Sequence, residues 1–169
     1  MDNKTMARLL AETADLMEID GADSFRIRSY RRAAEAAEQT TVDLVEAANA
    51  TARLLAIDGI GKGMAARLQS IAATGTLPQR DELLAKYGTG VLELLKLPGM
   101  GPKTVALLWD AGVIGSANID SANIGSPNID SVGQLAQAIA AGRLKGLSRM
   151  GEKQIEKLNK GIEDYRRSA

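Results

Sequence analysis

The stretch Ile57-Asp58-Gly59-Ile60-Gly61-Lys62-Gly63-Met64-Ala65-Ala66-Arg67-Leu68 decides how the chain is read. Its core is apolar, any residue, Gly, apolar, Gly, and it runs straight into a helix-forming segment. Two glycines two positions apart suit a tight turn through positive φ, where a Cβ would clash. Met64, Leu68 and Ile71 then recur at helical spacing, so the second glycine stands at a helix N-terminus. A helix start offers unpaired backbone N–H groups and the positive end of a dipole, both of which favour an anion.

The pattern returns at Leu97-Pro98-Gly99-Met100-Gly101-Pro102-Lys103. A degenerate third copy stands at Leu147-Ser148-Arg149-Met150-Gly151-Glu152-Lys153, with Arg149 in place of the first glycine. On the sequence alone this third copy is expected to be a packing connector. Gly59 and Gly99 are 40 positions apart, whereas Gly99 and Arg149 are 50 apart. The repeat Ser-Ala-Asn-Ile-Asp, Ser-Ala-Asn-Ile-Gly, Ser-Pro-Asn-Ile-Asp over 116–130 accounts for the difference, because removing two of its units restores the spacing. Asn-Ile units of this kind resemble pentapeptide repeats, but so few cannot stack into a coil, which leaves a duplicated linker in a loop that tolerates length.

Composition narrows the class. Hydrophobic residues make up 45% of the chain and aromatics only 3%, a mix of Ala, Leu and Ile that suits close-packed short helices. With no Cys and no His, disulfides, zinc sites and histidine catalysis are excluded. No apolar run reaches membrane-spanning length and the start lacks a signal-peptide pattern, so a cytoplasmic, nucleoid-associated protein with no membrane partner is expected. Net charge is +0, but its distribution is uneven. Acids crowd the first 23 residues, then Arg26, Arg28, Arg31 and Arg32 follow with no acid between them, and from Gly59 to Arg80 the charges, Lys62, Arg67 and Arg80, are all positive.

The periodicity predicts an all-α chain of two small domains, 1–75 and 76–169, divided at the Gly75–Pro78 break. Asn3 is the expected cap of a helix over 4–19 that buries Met6, Leu9, Leu10, Thr13, Leu16 and Met17. Ser24 is the expected cap of a helix over 25–38, with Phe25, Tyr30, Ala33, Ala34 and Ala37 inward. Thr40 with Asp43 opens a third, short helix, and 53–57 feeds the first turn. In the second half, helices are predicted over 81–86, 91–95, 102–111, 131–141 (Ser131 with Gln134 as capping box) and 152–166. Lys153, Lys157 and Lys160 share one face of the last. Trp109 is expected to pack rather than to stack on a base.

The turns resemble helix-hairpin-helix motifs, which grip the DNA backbone without reading sequence. More of the chain fits one family. Asp23-Ser24-Phe25-Arg26-Ile27-Arg28-Ser29-Tyr30-Arg31-Arg32-Ala33-Ala34, followed by the first turn, resembles the amino-terminal region of bacterial X-family DNA polymerases, related to DNA polymerase beta. The resemblance covers essentially all 169 residues. It implies DNA as partner, gapped, nicked or carrying a 5′-phosphate, in repair. Arg26 and Tyr30 match positions that contact the 5′-phosphate, and Gly59-Ile60-Gly61 and Gly99-Met100-Gly101 match the two backbone-binding turns. With their neighbours, the expected DNA-contacting set is Arg26, Arg28, Tyr30, Arg31, Arg32, Gly59, Ile60, Gly61, Lys62, Gly63, Arg67, Gly99, Met100, Gly101 and Lys103. In relatives such turns can hold Na+ or K+ through main-chain carbonyls, here of Leu55, Ile57 and Ile60 and of Leu95, Leu97 and Met100; no other cofactor is implied.

Two departures from the family set the expected chemistry. Members that remove a 5′-deoxyribose phosphate use a lysine on the helix after the first turn as Schiff-base nucleophile, and the matching residue is Arg67. A guanidinium stays protonated and cannot attack an aldehyde. Lys62 lies about 140° round the axis from Arg67, and a phosphate-binding lysine position falls on Gly63. Nucleotidyl transfer needs a palm domain whose carboxylates hold two divalent ions, and no Asp-x-Asp pair is present. The expectation is therefore a DNA-binding chain with no catalytic residue. The alternatives are a residual deoxyribose-phosphate or abasic-site lyase, a fragment of a longer X-family polymerase, and a helical protein-interaction module.

Overall fold

The computed structural model describes residues 1–115, 131–147 and 149–168, which hold helices, turns and loops and no strand. The repeat over 116–130 and the Ser131 cap lie outside the described residues. In order, the helices are α1 (Asn3–Ile19), α2 (Ser24–Gln39), α3 (Leu44–Ala47), α4 (Thr51–Leu55), α5 (Lys62–Thr74), α6 (Pro78–Tyr87), α7 (Gly90–Leu95), α8 (Pro102–Asp110), α9 (Ser131–Ala140) and α10 (Glu152–Ser168). They divide into two compact units, residues 1–86 and 87–169.

In the first unit α1 and α2 form the most extensive helix pair. Ala33 and Ala37 are fully buried, which lets α1 come close to α2. The predicted α1 stripe of Met6, Leu9, Leu10, Thr13, Leu16 and Met17 is buried throughout. Thr13 satisfies its hydroxyl on Leu9 O at 2.6 Å. Leu54, Met64, Leu68 and Ile71 complete the core from α4 and α5. Each such side chain contributes about 1.5–3 kcal/mol by leaving water.

Four details differ from the expectation. Asp2, not Asn3, caps α1 by accepting the Thr5 N–H at 2.8 Å. That leaves Asn3 to pin the chain before α3, donating to Val42 O at 2.7 Å and accepting the Leu44 N–H at 3.0 Å. Asp23, not Ser24, caps α2 through the Phe25 N–H at 2.9 Å, because a carboxylate is the better acceptor at a positive helix end. Phe25 is 72% exposed rather than inward, since it lies about 140° round the axis from the buried Tyr30. The first unit also runs past Gly75 through Lys86. Leu77 is buried in its core, Arg80 pairs with Glu12 at 3.0 Å, and Lys86 pairs with Asp20 at 2.6 Å.

The second unit buries Val91 and Leu94 of α7, Val105 and Leu108 of α8, Leu135 of α9, and Leu158 and Ile162 of α10. Trp109 is a packing residue. Tyr87 meets its ring edge-on at 4.9 Å, and a Cβ on Gly115 would lie 2.7 Å from it. Tyr165 on α10 donates to Glu93 on α7 at 2.7 Å, and Lys96 reaches the same carboxylate at 3.0 Å. Those two bonds hold the Glu93 carboxyl below the usual carboxylate range.

Candidate nucleic-acid interface

The three turns close on one hydrogen-bond pattern. Ile57, Leu97 and Leu147 N–H donate to Leu54, Leu94 and Leu144 O at 3.1, 3.0 and 3.3 Å. Ile60, Met100 and Met150 N–H donate to Ile57, Leu97 and Leu147 O at 3.2, 3.0 and 3.1 Å. The following helices then begin with Ala65 to Gly61 O at 2.8 Å, Val105 to Gly101 O at 3.0 Å and Ile155 to Gly151 O at 3.1 Å. Gly59 and Gly99 take φ +97° and +80°, and Arg149 takes φ +67°, the one positive φ outside glycine among the described residues. The third turn is therefore degenerate in sequence yet keeps the same hydrogen bonds among its described residues. Holding an arginine in that region costs roughly 1–2 kcal/mol.

Ile60 and Met100 are buried pegs that fasten the turns, at 5% and 4% exposure, so their side chains are not available to a ligand. What the turns present is main chain. Neither Gly61 nor Gly101 supplies a side-chain cap, so the first N–H groups of α5 and α8 are open to an outside acceptor. Pro102 has no N–H, which leaves that task on α8 to Lys103 and Thr104.

Around the first turn this main chain meets arginines. A cavity of about 440 Å³ is lined by Arg26, Ser29, Tyr30 and Arg32 of α2, by Gly59-Ile60-Gly61, and by Gly63, Met64 and Arg67 of α5. The turn sits hard against α2, where a Cβ on Gly59 would come within 3.2 Å of both Arg32 O and Ala36 Cβ. Arg67 Nε donates to the Tyr30 hydroxyl at 2.6 Å, its Nη1 donates to Gly63 O at 3.0 Å, and its guanidinium carbon stands 5.3 Å from the Tyr30 ring centroid. Two of its five donors are thereby used to orient the fork, and the others remain for an occupant.

The expected arginine patch is thus split. Arg26, Arg32 and Arg67 line the cavity. Arg28 instead stacks its guanidinium 5.1 Å from the exposed Phe25 ring centroid. Arg31 turns to α1 and bonds Asp15 at 2.9 Å and Glu18 at 2.7 Å. Burial opposes the Arg31 charge, but the two carboxylates outweigh it and raise its pKa further. Burial pushes the Asp15 carboxyl above its usual range in spite of that pairing. Arg31, expected to contact DNA, is thereby spent within the fold. Lys62 is exposed beside the turn, and the cavity lining contains no lysine among the described residues.

Ser29 was missed by sequence reasoning, although Arg26, Ser29 and Arg32 fall three apart and hence on one helix side. Gln154 was missed as well. Its Nε2 donates to Gly99 O at 3.2 Å and ties α10 to the second turn, and no local pattern signals that contact. The carbonyls expected to hold Na+ or K+ have suitable chemistry. Ile57 O and Leu97 O each accept one hydrogen bond and keep a second lone pair, and Leu55 and Leu95 end α4 and α7, where carbonyls lack helical partners.

Comparison with known proteins agrees with this geometry. Residues 1–77 match the helix-hairpin-helix domain family, and residues 91–164 match the SAM-like helix-hairpin-helix tandem family, which takes in both the second and the third turn. The chain is 29% identical over 158 residues to the DNA polymerase/3′-5′ exonuclease PolX of Bacillus subtilis (strain 168), a match to 94% of this chain and 24% of that protein. The chain is thus built of helix-hairpin-helix domains, is similar to a part of an X-family DNA polymerase, and spans about a quarter of that relative's length. These domains support DNA binding.

Proposed function

We propose that the chain grips DNA by its sugar-phosphate backbone, without reading sequence, and seats a 5′-phosphate end of a gap or nick in the cavity beside the first turn. One observation carries this reading: Arg26, Arg32 and Arg67 line the same cavity as the uncapped start of α5. A terminal phosphate has the charge and the acceptors for guanidinium forks and backbone N–H groups together. The second turn, with Lys103 beside it, would take a further phosphate of the duplex. A monovalent cation on the carbonyls of Leu55, Ile57 and Ile60, or of Leu95, Leu97 and Met100, would bridge their dipoles to phosphate.

Binding rather than lyase chemistry suits the cavity. A Schiff base needs a neutral amine, and the only side-chain nitrogens that line the cavity among the described residues are those of arginine guanidinium groups. The same grip would serve a longer X-family polymerase in gap repair, with its nucleotidyl transfer supplied by residues outside this chain.

The test is affinity for gapped duplex with and without a 5′-phosphate, at two salt concentrations. Tighter binding of the phosphorylated gap is expected, with a slope of log K against log salt on the order of −3 to −5. Equal affinity for the two gaps removes the end-seating role, and salt-independent binding removes the backbone grip.

A further inference from the structure

We propose that α10 carries a row of phosphate contacts, Lys153, Lys157 and Lys160, that extends the grip of the second turn along the same DNA strand. The inference rests on the reading of that turn as a backbone grip. It adds a surface that the turn itself does not contain.

The second turn and α10 are packed without a gap. A Cβ on Gly161 would lie 3.2–3.5 Å from Pro98, and Gln154 donates to the Gly99 carbonyl. Lys157 lies beside the same glycine, its Cδ 3.3 Å from where a Gly99 Cβ would sit. At 100° per residue, Gln154 and Gly161 mark the side of α10 that faces the turn. Lys153, Lys157 and Lys160 follow within roughly the next 120° of that surface, and Glu152, Glu156 and Glu163 lie further round. All three lysines are exposed, and none makes an ion pair among the described residues. Asp164, which falls among them at the far end, has Arg167 three residues on.

The spacing fits the ligand. From Lys153 to Lys160 the helix rises about 10 Å, enough for long, flexible lysine side chains to reach more than one phosphate of a strand. A phosphate held at the N–H groups of Lys103 and Thr104 therefore places its neighbours where a lysine row can reach them. Glu152 and Glu163 lie further round α10 from the row, and Glu156 borders it at Lys160.

The row is tested with the Lys153→Gln/Lys157→Gln/Lys160→Gln variant of the full chain. Glutamine keeps helix propensity while removing charge. Anisotropy titrations of labelled duplex DNA across a range of salt give the slope of log K against log salt. A slope shallower by about 2–3 is expected, near 0.9 for each lost contact. A control, Lys4→Gln/Arg8→Gln/Arg166→Gln, removes the same charge elsewhere, with Arg166 opposite Lys157 on α10. Its slope is expected to stay at the wild-type value. An unchanged slope in the lysine variant, with wild type still bound, overturns the row and leaves the grip standing. Equal loss in variant and control also overturns it, because the effect is then net charge. Wild type without salt-dependent duplex binding overturns the underlying grip itself.

Discussion

Replacing Gly59 by alanine separates the turn's role in the fold from its role in binding, because Gly61 two positions on provides a matched comparison. Gly59 holds φ +97°, and a Cβ there would sit 3.2 Å from Arg32 O and from Ala36 Cβ. Both obstacles belong to the α2 backbone or lie one bond from it, so neither can swing aside. The left-handed conformation costs about 1–2 kcal/mol and the overlap about 1–3, or roughly 2–5 together. That is a large share of the ~5–15 kcal/mol that holds a domain folded. Gly61 has φ −90° and ψ −179°, with nothing within 4 Å of a Cβ, so Gly61→Ala should stay within about 1 kcal/mol of wild type. Its methyl group would instead stand where a phosphate approaches α5. Urea unfolding followed by far-ultraviolet circular dichroism measures the first effect, and titration with phosphorylated gapped DNA the second. Gly59→Ala should lower the unfolding midpoint, whereas Gly61→Ala should weaken binding at unchanged midpoint. Equal midpoints for the two variants would refute the argument that α2 and the turn are in contact.

Arg31→Ala should destabilise the chain by about 1 kcal/mol, as expected for a partly exposed pair, yet leave the salt slope of DNA binding unchanged; a shallower slope would return Arg31 to the interface. Borohydride trapping on a 5′-incised abasic substrate should give no covalent adduct with wild type, because guanidinium groups line the cavity; an adduct would establish Schiff-base chemistry. Acid should weaken the brace between α7 and α10. Glu93 is held below its usual value of 4.5 in the fold, so its contribution is complete above that value and is lost as pH falls through the lowered one. Unfolding midpoints measured from neutral pH down through pH ~4 should therefore fall less steeply in Tyr165→Phe than in wild type.

The helical class and the turns were legible because their signals are local: paired glycines, apolar residues at helical spacing, a proline in the first turn of α8. Most helix limits followed within a residue or two for the same reason. The caps were less legible. Asp2 and Asn3, and Asp23 and Ser24, are adjacent cap formers, and in the first pair Asn3 is taken up by Val42 and Leu44, some 40 positions away, which leaves the cap to Asp2. The site was legible in part. Arg26, Arg32 and the first turn stand out, but the loss of Arg31 to Asp15 and Glu18 is a packing fact with no local signature. The same holds for Arg67, whose orientation depends on Tyr30, 37 positions earlier. The third turn keeps the hydrogen bonds of the other two with Arg149 at positive φ, which the missing glycine does not signal in the sequence.

The most direct measurement follows the backbone amides of Gly61 and Gly63 and the Arg67 Nε–H by heteronuclear NMR during titration with gapped DNA. With a 5′-phosphate on the gap, all three signals are predicted to shift together and saturably, and the unphosphorylated gap should leave them nearly in place. Signals that stay fixed while the phosphorylated gap binds elsewhere on the chain would contradict the assignment of this cavity to the phosphate.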